Sequence, residues 1–175
     1  MVGLTDVVLD LETIGLAGDA AIVSIGAVSS SGAEFHRSIA EPSGSVSPAA
    51  VRWWMTQRDE VRAVWLDEGE PELAVLDAFG GWLARERGGG RLRLWGSEDF
   101  DTAILKDAYS RNGLPAPWHY QEPRGLRTAF DLLGVDEDAH EWGERVEHVA
   151  IDCARQGMLV LRAALDSGNP AERNA

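Results

Sequence analysis

From Asp6 the chain reads Val-Val-Leu-Asp-Leu-Glu-Thr, an apolar run rich in β-branched residues that suits a central strand over about Thr5 to Leu11. Gly15 and Gly18 then punctuate a turn. Residues 20–29, Ala-Ala-Ile-Val-Ser-Ile-Gly-Ala-Val-Ser, read as a second strand, Ser31-Gly32 as a tight turn, and the alternating segment from Glu34 to Ile39 as the third strand of a meander. The Pro-, Ser- and Gly-rich stretch from Glu41 to Ser47 is a loop. Ser47-Pro48 has the cap-then-proline form of a helix start and leads into Ala-Ala-Val-Arg-Trp-Trp-Met. A further helix is expected from Pro71 to about Arg87, where Leu73, Leu76, Phe79, Trp82 and Leu83 fall at helical spacing and Gly88-Gly-Gly stops it. Arg91-Leu-Arg-Leu-Trp is the next strand. Helical spacing returns over Asp101–Arg111, ended by Asn112-Gly113, over Leu126–Leu133, and from about Val146 to Leu165. Strands, helices, a strand and more helices in this order predict a mixed α/β domain.

The length of 175 residues suits one folded unit, since domains run to roughly 150 residues. That unit is expected over residues 1–166, with residues 167–175 a frayed tail. No apolar run approaches the roughly 20 residues that span a bilayer, so no membrane partner is expected. The N-terminus lacks the basic and long apolar segments of a secretory signal, and the single cysteine, Cys153, has no second cysteine to pair with; a reducing, cytoplasmic setting is expected. Charge changes the picture most. Against 16 Lys+Arg stand 29 Asp+Glu, a net charge of −13, the wrong sign for gripping a long polyanion by phosphate neutralisation. A nucleic-acid function here has to work through metal ions, a local basic patch or a short substrate.

Asp10 and Glu12 stand at i and i+2 of the first strand, and the two-residue period sends both side chains to one face. Two carboxylates on one face of an otherwise apolar strand fit a divalent metal site, or else a strand end open to solvent. Asp101 opens a helix beside the end of the fourth strand, where it is either a ligand or a first-turn acid favoured by the helix dipole, with Glu98 and Asp99 near enough to compete. His148 and Asp152 are four residues apart and would share a helix face. They fit a general base beside a ligand, or an ordinary exposed pair.

Asp10-Leu-Glu12-Thr13, then Phe100-Asp101, then His148 followed by Asp152, in this order on an α/β chain, resemble the DEDD exonucleases of the RNase H-like fold, in their histidine-bearing DEDDh branch. Ser24-Ile-Gly-Ala-Val, Trp53-Trp54-Met-Thr-Gln, Trp95-Gly96, Pro117-Trp118 and Arg127-Thr128 resemble the subgroup that contains phage exonuclease A and related exoribonucleases, and the likeness covers about residues 6 to 165. The resemblance implies a mixed β-sheet flanked by helices. It also implies a 3′–5′ exonuclease acting on single-stranded or overhanging DNA or RNA with a free 3′ end and releasing nucleoside 5′-monophosphates. Asp10, Glu12, Asp101 and Asp152 would hold two divalent cations, Mg²⁺ or Mn²⁺, and His148 would deprotonate the attacking water. Dimers among relatives, together with tryptophans beyond core needs, make a homodimer an expectation too.

One departure stands out. The family's third motif has four residues between its histidine and its acid, whereas three separate His148 from Asp152, and counting without a gap reaches Cys153. A one-residue deletion is the reading adopted, because Asp152-Cys153 followed by Gln156 resembles the family's Asp-Cys-x-x-Gln and thiol sulfur suits Mg²⁺ poorly. That departure and the net charge of −13 leave as an alternative a catalytically silent nucleic-acid or protein-binding module of the same fold, and the missing basic surface leaves a hydrolase of very short oligonucleotides.

Adjacent Trp53 and Trp54 point about 100° apart on a helix, so one can close the core while the other stacks on a terminal base; Trp54 is the candidate substrate contact. Trp118, in a Pro-rich loop, is a second stacking candidate. Arg127, with Arg124 near it, is a candidate phosphate ligand, and Thr13 and Phe100 flank the acids as further substrate contacts. The acidic stretch from Val135 to Glu147 is expected to be a loop leading into His148.

Overall fold

The apolar run after Asp6 forms β1 (Leu4–Thr13). A computed structural model, which describes residues 3–66, 68–97, 100–136 and 141–167, places it at the centre of a five-stranded sheet. β2 (Ile22–Ser29) and β3 (Glu34–Ser38) extend the sheet on one side as an antiparallel meander. β4 (Arg91–Gly96) and β5 (Pro123–Gly125) lie parallel on the other, giving the order β3-β2-β1-β4-β5. The helices are α1 (Pro48–Thr56), α2 (Asp59–Leu66), α3 (Glu72–Arg87), α4 (Asp101–Arg111), α5 (Leu126–Leu133) and α6 (Ala150–Ser167). This is the α/β architecture, consistent with an RNase H-like arrangement, that the pattern predicts.

The alternation of β1 divides the core into two layers. Val7, Leu9 and Leu11 join Leu76, Phe79, Ile104 and Leu105 of α3 and α4 on one face of the sheet. Val8 packs with Phe130 of α5 and Ile151, Ala154 and Leu161 of α6 on the other. Asp6, Asp10 and Glu12 share the parity of Val8 and therefore belong to the α6 side. The first of these is fully satisfied, because Arg93 donates to it through Nε and Nη2 and Trp95 through Nε1, each at 2.6 Å. Caps follow from local chemistry: the Ser47 side chain accepts from the Ala50 amide with Pro48 in the first turn of α1, and Gly88 closes α3 at φ 51°, the left-handed conformation that glycine adopts without a Cβ clash.

Four features depart from the sequence reading. The second strand begins at Ile22, not Ala20, because Ala20 bridges to Ser45 and the Ala21 amide donates to the Ser45 carbonyl. The stretch between α1 and α3 holds a separate short helix, α2. β5, with three residues, is too short to carry a periodicity of its own. The last helix begins at Ala150 and not Val146, since His148 has φ 64°, a left-handed conformation that cannot continue a right-handed helix. The described part of the acidic stretch is loop and turn, as expected; residues 137–140, and the tail from 168 onward, lie outside the described residues. No described helix is long and apolar enough to cross a membrane.

Candidate active site

Sheet register sets the position of each acid. Asp10 lies opposite Gly26 and Glu12 opposite Ser24, and the pairing then shifts between Glu12 and Thr13. Such an irregularity at a strand end re-aims the side chains beside it. Asp101 begins α4 just beyond β4, the parallel neighbour of β1. Its Oδ2 accepts from the Ser97 amide at 2.6 Å, and the Leu11 amide donates to the same carboxylate. The three acids gather where β1 ends, close enough for the charge of Asp101 to act on both of the others. A 490 Å³ cavity opens there, with Asp10, Glu12, Thr13, Trp53, Phe100, His148 and Cys153 in its lining.

The electrostatics of this cluster are those of negative charge without compensation. Burial, then the Asp101 and Glu12 carboxylates, push Asp10 well above the usual carboxylate range, against a hydrogen bond from Cys153. Burial, with Asp101 second, raises Glu12 to about 8. Asp101 is pushed up to about 6 by burial, opposed by its amide donors. The Cys153 thiol is driven upward by burial and by Asp10 and Glu12, while the amides of His148 and Val149 pull the other way. Asp6, on the same face, has Arg93 and Trp95; Glu12 is 7% exposed and meets no hydrogen-bond donor or cation among the described residues. Directly across from it, the buried Ser24 Oγ also has no hydrogen-bond partner among the described residues. Ionising such groups is costly unless a cation joins them, and hard divalent cations take carboxylate oxygens. One oxygen from each of Asp10 and Glu12 and the Cys153 Sγ lie within 4.8 Å of one another. The donor set fits a divalent cation, with a sulfur where the resemblance expects oxygen.

His148 reaches the cavity from the turn before α6, with its strained φ of 64°. Left-handed non-glycine residues cost about 1–3 kcal/mol and cluster at functional sites. Its ring meets Trp53 edge to face at 4.8 Å, and its Nε2 lies 3.8 Å from Glu147 Oε1, an ion pair only when the imidazole is protonated. The tryptophan pair divides its work. Both tryptophans line the cavity; Trp54 is 2% exposed and its Nε1 donates to the Thr13 carbonyl at 2.8 Å, so it braces the end of β1, while Trp53, at 40%, is the exposed partner. Thr13 turns inward on its own loop, Oγ1 donating to the Gly15 carbonyl at 2.6 Å. Phe100 lines the cavity immediately before Asp101.

Three expected site residues are not brought there. Trp118 packs edge-on against Tyr109 at 5.8 Å and lines a separate 230 Å³ cavity with Lys106 and Tyr120. Arg127 is exposed on α5, outside the acidic cavity, as is Arg124 on β5. Asp152 is engaged elsewhere: its Oδ2 accepts from the Val146 amide at 3.0 Å and its Oδ1 from Arg155 Nη1 at 2.8 Å. Consecutive helical residues point about 100° apart, so with Asp152 turned toward its own loop it is Cys153 that faces the acids. The ungapped count from His148 was the signal for that residue. Glu98, Asp99 and His140 lie outside the described residues.

Gly26 is the other residue that sequence reasoning passed over as a determinant of the site. A Cβ on it would sit 2.2 Å from the Ala150 carbonyl carbon, so only a glycine opposite Asp10 lets the first turn of α6 rest on the sheet. A family model described as 3'-5' exoribonuclease Rv2179c-like domain matches residues 5–165. No curated protein matches the chain.

Proposed function

Because this chain belongs to the 3'-5' exoribonuclease Rv2179c-like domain family, and with it to the 3′–5′ exonucleases, we propose that it is a metal-dependent hydrolase of DEDDh type, folded as one exonuclease domain over residues 1–166, that removes nucleoside 5′-monophosphates from the 3′ ends of single-stranded or overhanging RNA. The observation that carries this reading is the convergence of Asp10, Glu12 and Asp101 at the end of β1, the first two lining one cavity with His148, with burial raising every one of the three.

Asp10 and Glu12, with Asp101 behind them, would hold divalent cations such as Mg²⁺ or Mn²⁺. When bound, these supply the positive charge that attracts the phosphodiester and stabilises the charge developing on its oxygens. His148 accepts a proton at a ring nitrogen as the oxygen of the attacking water bonds to phosphorus. The bond from phosphorus to the 3′-oxygen of the preceding nucleotide breaks, that oxygen takes up a proton, and the terminal nucleotide leaves as the 5′-monophosphate. Trp53, exposed at the rim, offers a ring on which the terminal base stacks, and its edge contact holds the imidazole toward the acids. With a net charge of −13 the protein has no general attraction for a long polyanion, so grip is concentrated on the terminal nucleotides at the cation site.

The test is digestion of 5′-labelled RNA and DNA of equal sequence with Mg²⁺, Mn²⁺, Co²⁺, Zn²⁺ or chelator, resolved at single-nucleotide spacing. A ladder shortening from the 3′ end, faster on RNA and abolished by chelator and by Asp10→Ala, is the expected result. Absence of shortening with every metal, identical in wild type and Asp10→Ala, overturns the reading.

A further inference from the structure

We propose that Cys153, and not Asp152, completes the cation-binding set with Asp10 and Glu12, and that the site consequently prefers divalent cations that accept sulfur, of the Zn²⁺ and Co²⁺ type, over Mg²⁺. The proposal rests on the reading of this cavity as a metal site. Sγ of Cys153 is within 4.8 Å of a carboxylate oxygen of both Asp10 and Glu12. Glu12, 7% exposed and without donor or cation among the described residues, points into the same cavity and calls for a positive charge independently of the cysteine.

Asp152 has a different job. Through Oδ2 it takes the Val146 amide, and through Oδ1 it takes Arg155, which also donates to Glu34 on β3 from Nε at 2.9 Å and Nη2 at 2.7 Å. It therefore ties the turn that carries His148 to α6 and, through Arg155, to the sheet edge. Both carboxylate oxygens are used, and the residue is a positioning residue rather than a ligand. The neighbour on the helix supplies the sulfur. A set of two carboxylates and one thiolate matches a borderline cation better than Mg²⁺, which takes oxygen in near-octahedral geometry.

Titration of the full-length protein with Co²⁺, followed by near-ultraviolet absorption, reads sulfur coordination directly and needs no turnover. A thiolate-to-cobalt charge-transfer band is expected in wild type and in Asp152→Asn, and is lost in Cys153→Ser. Calorimetric titration with Mg²⁺ is expected to show binding tightened about 10-fold or more in Cys153→Asp, which restores a hard ligand. Co²⁺ binding without the band, or a band lost in Asp152→Asn while Cys153→Ser keeps it, overturns the assignment; so does Mg²⁺ affinity equal in wild type and Cys153→Asp. These outcomes leave the exonuclease reading standing, because ladder formation is measured separately. A wild type that binds no divalent cation at all removes both.

Discussion

At the scale of single residues, His148 has the most exacting placement in the site. It is held at φ 64° between the acidic loop and α6, with Trp53 against its ring. General bases contribute about 10²–10⁴-fold, so His148→Ala is expected to lower kcat by that order while leaving cation binding, read by calorimetry, within a factor of about two. Loss of cation affinity in that variant would instead make His148 a ligand. Its candidacy was legible in the sequence through the resemblance in motif order, whereas the His148 and Asp152 pair alone also fitted an ordinary exposed pair. The roles of its neighbours were not. Trp53 and Trp54 have the same composition and the same helix, and only the packing of α1 against β1 decides that Trp54 is 2% exposed and Trp53 is the open ring. Likewise Asp10 and Asp6 are two similar aspartates on one strand face, yet Asp6 meets Arg93 and Trp95 across 87 and 89 residues of sequence while Asp10 meets further acids.

At the scale of elements, the site exists because the first turn of α6 lies directly on β2. Gly26 permits that approach, and a Cβ there would meet Ala150 at 2.2 Å. Gly26→Ala is expected to destabilise the protein by about 1–3 kcal/mol through overpacking, measured as a lowered urea midpoint at unchanged slope. It should also weaken cation binding, since α6 carries Cys153 toward Asp10; full stability with full cation affinity would show that the helix docks less closely. Most elements were readable from periodicity and punctuation: the expected bounds of α4 and α5 match the observed Asp101–Arg111 and Leu126–Leu133. The start of α6 was not readable, because helical spacing persists through Val146 to Val149 and nothing local announces the left-handed His148. β5 escaped for the opposite reason, being a three-residue strand that exists only as a partner of β4.

At the scale of the whole molecule, stability, pH and cation are linked through the buried acids. Burial raises Glu12 to about 8 and Asp101 to about 6, above the roughly 4 of carboxylates in an unfolded chain. The folded state thus keeps protons that the unfolded state releases, so the stabilising contribution is fully present at low pH and is lost as pH rises toward the folded-state values. Cations need the ionised acids, so their affinity grows over the same range. The metal-free protein is therefore expected to lose thermal stability from about pH 4 to about pH 8, while the Tm increase caused by Mn²⁺ becomes larger; scanning calorimetry with chelator or excess Mn²⁺ checks both. Glu12→Gln should flatten both trends, and a Mn²⁺ effect that shrinks as pH rises would contradict the linkage. By itself the sequence determined the α/β class, the pairing of Asp10 with Glu12 on one strand face, the position of Asp101 at a helix start and the candidacy of His148, because each follows from strand alternation, helical spacing or motif order. The tertiary structure alone decided that Cys153 rather than Asp152 faces the acids, that Trp118 and Arg127 stand apart from them, and that Asp6 is a structural ion pair. Those outcomes depend on the rotation of α6 about its axis and on contacts between segments distant in sequence, for which local pattern offered only the ungapped count from His148 to Cys153.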